Sequence, residues 1–192
     1  MSTGKVLVVI PARNEAHTIG GVINKTRSLY PDYDIVVVDD ASEDDTGTIA
    51  RSQGALVLRT PIRLGYGGAV QTGFKYAASR DYEVVVLMDA DGQHDPACIG
   101  DLVKATERFD LVIGSRFRGE LLYKIPAVRL IGMKIFSWIV TNIVGHRITD
   151  TSSGFQAMRK DVFSLFASGA YPVDFPDADT VSYTHLTLPT KA

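Results

Sequence analysis

Short apolar runs rich in β-branched residues recur along this chain, each followed by a stretch with helical spacing. The runs are Lys5 to Ile10, Asp34 to Val38, Ala55 to Leu58, Glu83 to Met88 and Leu111 to Ile113, each short enough for a strand buried on both faces. The helical patterns between them, roughly Ala16 to Leu29, Asp44 to Ser52, Gly68 to Ser79 and Pro96 to Phe109, have the length that a parallel crossover needs. The alternation predicts an α/β fold: an open, mostly parallel sheet with helices on both faces, binding ligands beyond the carboxyl ends of its strands. Polar residues collect at those ends, as PARNE after the first strand, DDASEDD after the second, DADGQHD after the fourth and GSRFRG after the fifth. Gly65-Tyr66-Gly67-Gly68 opens the third helix, where the backbone can turn tightly and approach a ligand.

The strongest local signal is Asp89-Ala90-Asp91-Gly92-Gln93, directly after Val84 to Met88. In extended geometry side chains alternate, so Asp89, Asp91 and Gln93 share one side while Ala90 points to the other. Neighbouring carboxylates repel unless a hard cation such as Mg²⁺ or Mn²⁺ joins them, and such an ion keeps positions open for diphosphate oxygens. A purely local account competes: Asp91 and Gly92 make a turn, and Asp95 caps a helix beginning at Pro96. Asp95 is assigned to the cap. For Asp89 and Asp91 the residues alone leave both accounts standing.

Glu15 follows the first strand and Asp39 and Asp40 end the second, so three more carboxylates converge on the same edge. A carboxylate there accepts a hydrogen bond from a nucleobase ring N–H, and Asp40 is given that role. Ser42, Glu43 and Asp44 are assigned to capping, with Ser42 starting a helix whose first turn is acidic. Arg116 follows the fifth strand in Gly114-Ser115-Arg116, with Arg118 close behind. A guanidinium pairs bidentately with phosphate oxygens, and a place at the same edge as the acidic pair favours a diphosphate clamp over a solvated surface arginine. His94, without partners at ligand spacing, reads as a hydrogen-bonded structural residue. Cys98 reads as a small buried hydrophobe, and Phe136 and Trp138 as packing or a partner surface.

The 192 residues suit one compact domain. With 22% charged residues and a formal net charge of -2, no global basic field gathers nucleic acid, and none is expected as a partner. The lone Cys98 excludes an internal disulfide and supplies no zinc-site spacing, which fits a reducing, cytoplasmic setting. The N-terminus runs into a Val/Ile strand with no basic leader, unlike a secretory signal. Ile125 to Gly145 is apolar but interrupted by Arg129, Lys134 and Asn142. A spanning helix carries ~20 nearly uncharged residues, so this stretch reads as an amphipathic surface element suited to peripheral membrane contact. Residues 1–180 are taken as the domain. The Thr-rich 181–192, VSYTHLTLPTKA, lacks helical periodicity and reads as a vector-derived tail. The domain is therefore expected to be truncated at its C-terminus, with the natural protein continuing past Thr180.

Taken in order over roughly residues 5 to 167, PARNE, VVDDAS, GYGGAVQTGF, LMDADGQH, GSRF and DTSSGF resemble glycosyltransferase family 2. The resemblance is nearest to the polyprenyl-phosphate (dolichyl-phosphate) mannosyl- and glucosyltransferases. It implies a GT-A (Rossmann-like) catalytic domain and an inverting single displacement. A hexose would move from a UDP- or GDP-sugar, assisted by Mg²⁺ or Mn²⁺, to a polyprenyl phosphate or a sugar hydroxyl. By matching motif positions, Pro11, Arg13, Glu15 and Asp40 would line the nucleoside pocket, and Asp89, Asp91 and Gln93 would hold metal and diphosphate. Arg116 would bind phosphate and Arg129 would sit near the acceptor phosphate. Asp150, Ser153 and Gly154 would border the acceptor cleft. Asp177 or Asp179 occupies the region of a general base, which a sugar hydroxyl needs and an anionic phosphate does not.

The implied partners are a nucleotide-sugar donor and a polyprenyl-phosphate lipid, met at the inner face of a membrane. A homodimer is left open, as are the nucleobase, the sugar and the acceptor. Arg63 departs from the family, where many members carry Asn or Lys, and the later family segment is absent. A non-catalytic nucleotide-sugar-binding module of the same fold is the alternative. A sugar-1-phosphate nucleotidyltransferase would carry a Gly-rich, Arg-containing loop where Pro11 to Glu15 stand, and a dehydrogenase would open its first helix with a dinucleotide fingerprint.

Overall fold

The computed structural model describes residues 4–114 and 154–170. Among these residues six strands, β1 (Val6–Ala12), β2 (Asp34–Asp39), β3 (Leu56–Arg59), β4 (Val84–Leu87), β5 (Leu111–Ile113) and β6 (Gln156–Arg159), form one sheet in the order β3-β2-β1-β4-β6-β5. The β1–β2, β1–β4 and β2–β3 pairs are parallel. β6 runs antiparallel to both its neighbours, β4 and β5. The helices are α1 (Ile19–Leu29), α2 (Thr46–Ser52), α3 (Gly65–Ala78), α4 (Ile99–Ala105) and α5 (Lys160–Leu165). A 3₁₀ turn, Pro96–Cys98, leads into α4, and a π turn, Phe166–Ala170, follows α5.

Strand alternation splits the core into two layers. Val6, Val8, Ile10 and Ala12 of β1 point to one face, joined by Val84, Val86, Met88 and Ala90, and pack beneath α1, α2 and α4. Leu7 and Val9 point to the other with Val85 and Leu87, against Val70 and Phe74 of α3 and Val162 and Phe163 of α5. The helices match: α1 buries Ile19, Val22, Ile23 and Thr26, a one-sided stripe at helical spacing. Buried Thr26 donates its hydroxyl to the Val22 carbonyl at 2.8 Å, so no polar group is stranded. Across the layer, the Tyr30 hydroxyl donates to the Ala97 carbonyl (3.0 Å) and accepts from the Gly100 amide (2.9 Å), pinning the start of α4 to the end of α1. On the opposite face α3 lies so near β1 that a Cβ on Gly73 would sit 2.3 Å from Val9 Cγ1.

Several boundaries differ from the sequence reading. β1 continues through Pro11 and Ala12, both buried. α1 starts at Ile19 after a turn closed by the Glu15 carbonyl, and the expected fourth helix is a 3₁₀ turn plus α4 ending at Ala105. β6 and α5 were not anticipated. Gln156, Ala157, Met158 and Arg159 contain no β-branched residue, so β6 owes its extended form to pairing on both sides rather than to propensity. Cys98 is exposed, not a buried hydrophobe, because the 3₁₀ turn directs Pro96 and Ile99 inward instead.

Arg116, Arg118, Arg129, Phe136, Trp138, Asp150, Ser153, Asp177, Asp179, the apolar stretch Ile125 to Gly145 and the tail 181–192 lie outside the described residues. Among the described residues no helix is long and apolar enough to cross a membrane.

Candidate active site

The carboxyl ends of β2, β1 and β4 lie side by side, which brings the loops bearing Asp39 and Asp40, Arg13 to Glu15 and Asp89 to Gln93 to one edge. The first two loops are laced together. Asn14 N donates to Ser42 Oγ (3.0 Å), Glu15 N to Thr46 Oγ1 (2.7 Å), Ala16 N to Asp44 Oδ2 (3.1 Å) and Glu43 N to Asn14 Oδ1 (2.8 Å). Asn14 and Ala41 take positive φ, 56° and 51°. Asparagine tolerates that region, whereas for alanine it costs about 1 kcal/mol or more, which the lacing holds in place.

This arrangement corrects the capping assignment. α2 begins at Thr46, where Asp44 Oδ1 accepts from both the amide and the hydroxyl of Thr46. Asp44 thus closes a turn just ahead of Asp45, the N-cap residue; desolvation pushes its pKa up, but the hydrogen bonds from Thr46 and Ala16 together outweigh it and lower the pKa. Ser42 and Glu43 do not cap; they bind Asn14.

Asp39 and Asp40 are both buried and do different work. Asp39 faces inward to Arg59 Nη1 at 3.2 Å and accepts the Ser42 amide at 3.0 Å. A Cβ on Gly47 would come within 2.6 Å of its Oδ2. Asp40, 4% exposed, accepts from the Thr60 hydroxyl (3.1 Å) and the Leu64 amide (2.7 Å) at Oδ1, and from the Gly65 amide (2.9 Å) at Oδ2. It anchors the entry to α3, where Gly65 turns at φ 80°. The sequence offered Asp40 only a ligand role; this anchoring was missed.

Arg13 extends from the end of β1, and its buried Nε–H has no hydrogen-bond partner among the described residues. A buried orphan donor costs about 1–3 kcal/mol unless an acceptor arrives. Its guanidinium approaches Glu43 at 3.6 Å, but Glu43 is 83% exposed, and such pairs contribute little. Glu15 Oε2 accepts the Thr18 hydroxyl at 2.8 Å, tying it to the turn before α1.

Beyond β4 the alternation carries as far as Ala90, buried with Met88, while Asp89 points to the opposite side. Asp91 Oδ1 accepts the Gln93 amide at 2.9 Å and Gly92 turns at φ 76°. The local turn therefore exists, and the Asp91 and Gln93 side chains are exposed. β4 ends at Leu87, so Gln93 follows the turn with its amide held by Asp91 rather than continuing the strand.

Asp89 Oδ1 accepts the Tyr66 hydroxyl at 3.0 Å. His94 is buried, stacked on Phe155 with ring centroids 5.0 Å apart. Its Nδ1 accepts the Asp89 amide at 3.3 Å. The same nitrogen lies 3.8 Å from Asp89 Oδ2. Gly154 lies over the same carboxylate: a Cβ there would meet Asp89 Oδ2 and the Tyr66 hydroxyl at 2.8 Å. Gly114 and Phe155 meet at this edge through a 2.7 Å backbone hydrogen bond. Gly114 and Gly154, which bound the segment 115–153, thus both lie at this edge, Gly154 beside Asp89.

Among the described residues no group of three or more His, Cys, Asp or Glu is arranged around a metal position. Asp89 and Asp91 instead offer hard carboxylate oxygens at the end of one strand. That set fits an ion such as Mg²⁺, which takes one or two carboxylates and completes its shell with water and substrate phosphates.

The sequence profile of glycosyl transferase family 2 matches residues 7–166. The undecaprenyl-phosphate mannosyltransferase of Micrococcus luteus is 36% identical over 167 residues, covering 82% of this chain and 67% of the relative. The polyprenol monophosphomannose synthase of Mycolicibacterium smegmatis is 34% identical over 171 residues, covering 83% and 63%. Among solved structures, glucosyl-3-phosphoglycerate synthase from Mycobacterium tuberculosis in complex with Mn²⁺ and UDP-glucose superposes with a TM-score of 0.61 at 26% identity. That superposition covers 83% of this chain and 57% of the other. The chain thus spans roughly three fifths of the length of these proteins. Its α/β sheet is of the GT-A type found in these structural neighbours. Motif order, sheet topology and a match along most of its length make this chain a member of glycosyl transferase family 2.

Proposed function

We propose that this chain is the donor-binding part of an inverting hexosyltransferase that moves a hexose from a UDP- or GDP-sugar to a polyprenyl phosphate at the cytoplasmic face of a membrane. The observation that carries the reading is the pair of carboxylates that follow β4, at the same sheet edge as the buried Arg13 Nε–H, which has no acceptor among the described residues. The similarity to undecaprenyl-phosphate and polyprenol mannosyltransferases supports the acceptor class. The M. tuberculosis neighbour solved with Mn²⁺ and UDP-glucose supports the donor and ion.

In this reading Asp89 and Asp91, with Gln93, hold Mg²⁺ or Mn²⁺, which would supply charge neutralisation at the diphosphate. Pro11, Arg13, Glu15 and Asp40 border the nucleoside, with Arg13 Nε donating to a ligand oxygen. Arg116 takes a phosphate oxygen and stabilises charge building on the departing nucleoside diphosphate. The acceptor oxygen, steered by Arg129 and bordered by Asp150, Ser153 and Gly154, bonds to the anomeric carbon as the bond to the diphosphate oxygen breaks on the opposite side. A phosphate acceptor is already anionic. A sugar hydroxyl would instead surrender its proton to Asp177 or Asp179.

Nucleotide with Mn²⁺ at a hundred times its dissociation constant stabilises a folded domain by about 2.7 kcal/mol, a melting-temperature rise of roughly 5–10 °C at this size. UDP or GDP with Mn²⁺ is expected to produce that rise, and Asp91→Ala to abolish it. Absence of any metal-dependent rise with either nucleotide would sink the proposal. Hexose transfer to undecaprenyl phosphate, compared with transfer to a soluble sugar, decides the acceptor class.

A further inference from the structure

We infer that Tyr66 is a positioning residue for the ion and diphosphate site, acting through Asp89; the inference rests on the donor-binding reading above. Tyr66 is the second residue of α3 and reaches across the sheet edge to donate its hydroxyl to Asp89 Oδ1 at 3.0 Å. The helix end that carries it is itself fixed. Asp40 holds the Leu64 and Gly65 amides at 2.7 and 2.9 Å, just ahead of Tyr66. A continuous path therefore runs from the end of β2, through the entry to α3, to the carboxylate at the end of β4.

A carboxylate at a strand end can rotate about its χ2 torsion, and an ion site requires that rotation to be settled before the ligand arrives. The Tyr66 hydroxyl settles it from one side. On the other, the Asp89 amide is held by His94, which is in turn stacked on Phe155. Gly154 keeps the space above the carboxylate clear, since a single added carbon would come within 3.0 Å of both Asp89 oxygens and 2.8 Å of the Tyr66 hydroxyl. Tyr66 is 39% exposed, so removing its hydroxyl costs the fold little. A partly exposed tyrosine whose hydroxyl orients a partly exposed carboxylate serves the site rather than the core.

Partners that orient a metal-ligating group typically contribute about tenfold to a hundredfold in metal affinity. Mn²⁺ uptake by the full chain, read from the free-ion electron paramagnetic resonance signal with saturating UDP or GDP, tests this without an activity assay. Tyr66→Phe keeps the ring and deletes the hydroxyl. The expected result is Mn²⁺ affinity about tenfold or more weaker, with an apo melting temperature unchanged from wild type. Affinity within twofold of wild type overturns the inference, as does a loss accompanied by a drop of several degrees in melting temperature, which would mark a structural role. If the wild-type chain takes up no Mn²⁺ with either nucleotide, the donor-binding reading fails and the inference with it. If wild type binds and the phenylalanine variant binds equally, the inference alone fails.

Discussion

Asp40→Asn separates an anchoring role from a ligand-only role for the carboxylate that ends the second strand. In the native structure Oδ1 accepts from the Thr60 hydroxyl and the Leu64 amide, and Oδ2 accepts from the Gly65 amide, within a residue only 4% exposed. Asparagine keeps one acceptor oxygen and turns an NH₂ group toward whatever faced the other. Either flip leaves at least one backbone N–H opposed by a donor. Hydrogen bonds to a charged group contribute about 1.5–3 kcal/mol, and a buried unsatisfied donor costs a similar amount. Adopting about 2–3 kcal/mol for the net loss, the melting temperature of the nucleotide-free protein falls by roughly 4–12 °C. Differential scanning fluorimetry or calorimetry without ligand reads this directly. An apo melting temperature within a degree of wild type would refute the anchoring argument and leave Asp40 as a residue that matters only when a nucleotide is present.

Gly73→Ala puts a methyl 2.3 Å from Val9 Cγ1, where carbon atoms pack at ~3.5–4.0 Å; Val9 is fully buried. The overpacking, about 1–3 kcal/mol, outweighs the helix-propensity gain, so the melting temperature falls by a few degrees, and a rise would show that Val9 yields freely. Asp95 is held below its ordinary pKa by the Ala97 amide and then by Lys25, 3.0 Å away. Because the folded pKa is depressed, its stabilisation is present above about pH 4 and is lost as pH falls through the folded value. The stability gap between wild type and Asp95→Asn should accordingly close in acid, and a gap constant from pH 7 to 3 would contradict the assignment. The Cys98 thiol is exposed, yet partial burial and then Asp95 and Asp101 raise its pKa. Iodoacetamide should therefore alkylate it more slowly at pH 8 than a cysteine in an unstructured peptide, and an equal rate would argue against the electrostatic cause.

The apolar runs around β1 and β4 placed the centre of the sheet because their burial on both faces leaves a continuous signature in composition. The same logic could not see β6, whose Gln, Ala and Met are extended only because β4 and β5 hold them on either side. At the site, clustering of carboxylates at strand ends was legible from spacing alone. Which loop each carboxylate would meet was not, since that depends on strand order. Asp39 meets Arg59 because β3 lies beside β2. Tyr66 meets Asp89 because α3 begins at the edge where β4 ends. The clue was a tyrosine inside a run of glycines, an expensive side chain where only backbone freedom seemed to be needed. Asn14 was visible only as part of a motif; its left-handed backbone and two hydrogen bonds to the neighbouring loop follow from tertiary placement.

The antiparallel strand inserted between β4 and β5 governs the order in which the sheet can be completed during synthesis. When the nascent chain has emerged only as far as Ile113, the four parallel strands can assemble, but one border of β4 is open, and the neighbour that β5 has among the described residues arrives only with residues 156 to 159. Until then a row of amides and carbonyls beside Val84 to Leu87 is available to any passing strand, and the loop bearing Asp89 and Asp91 that follows it rests on an unfinished wall.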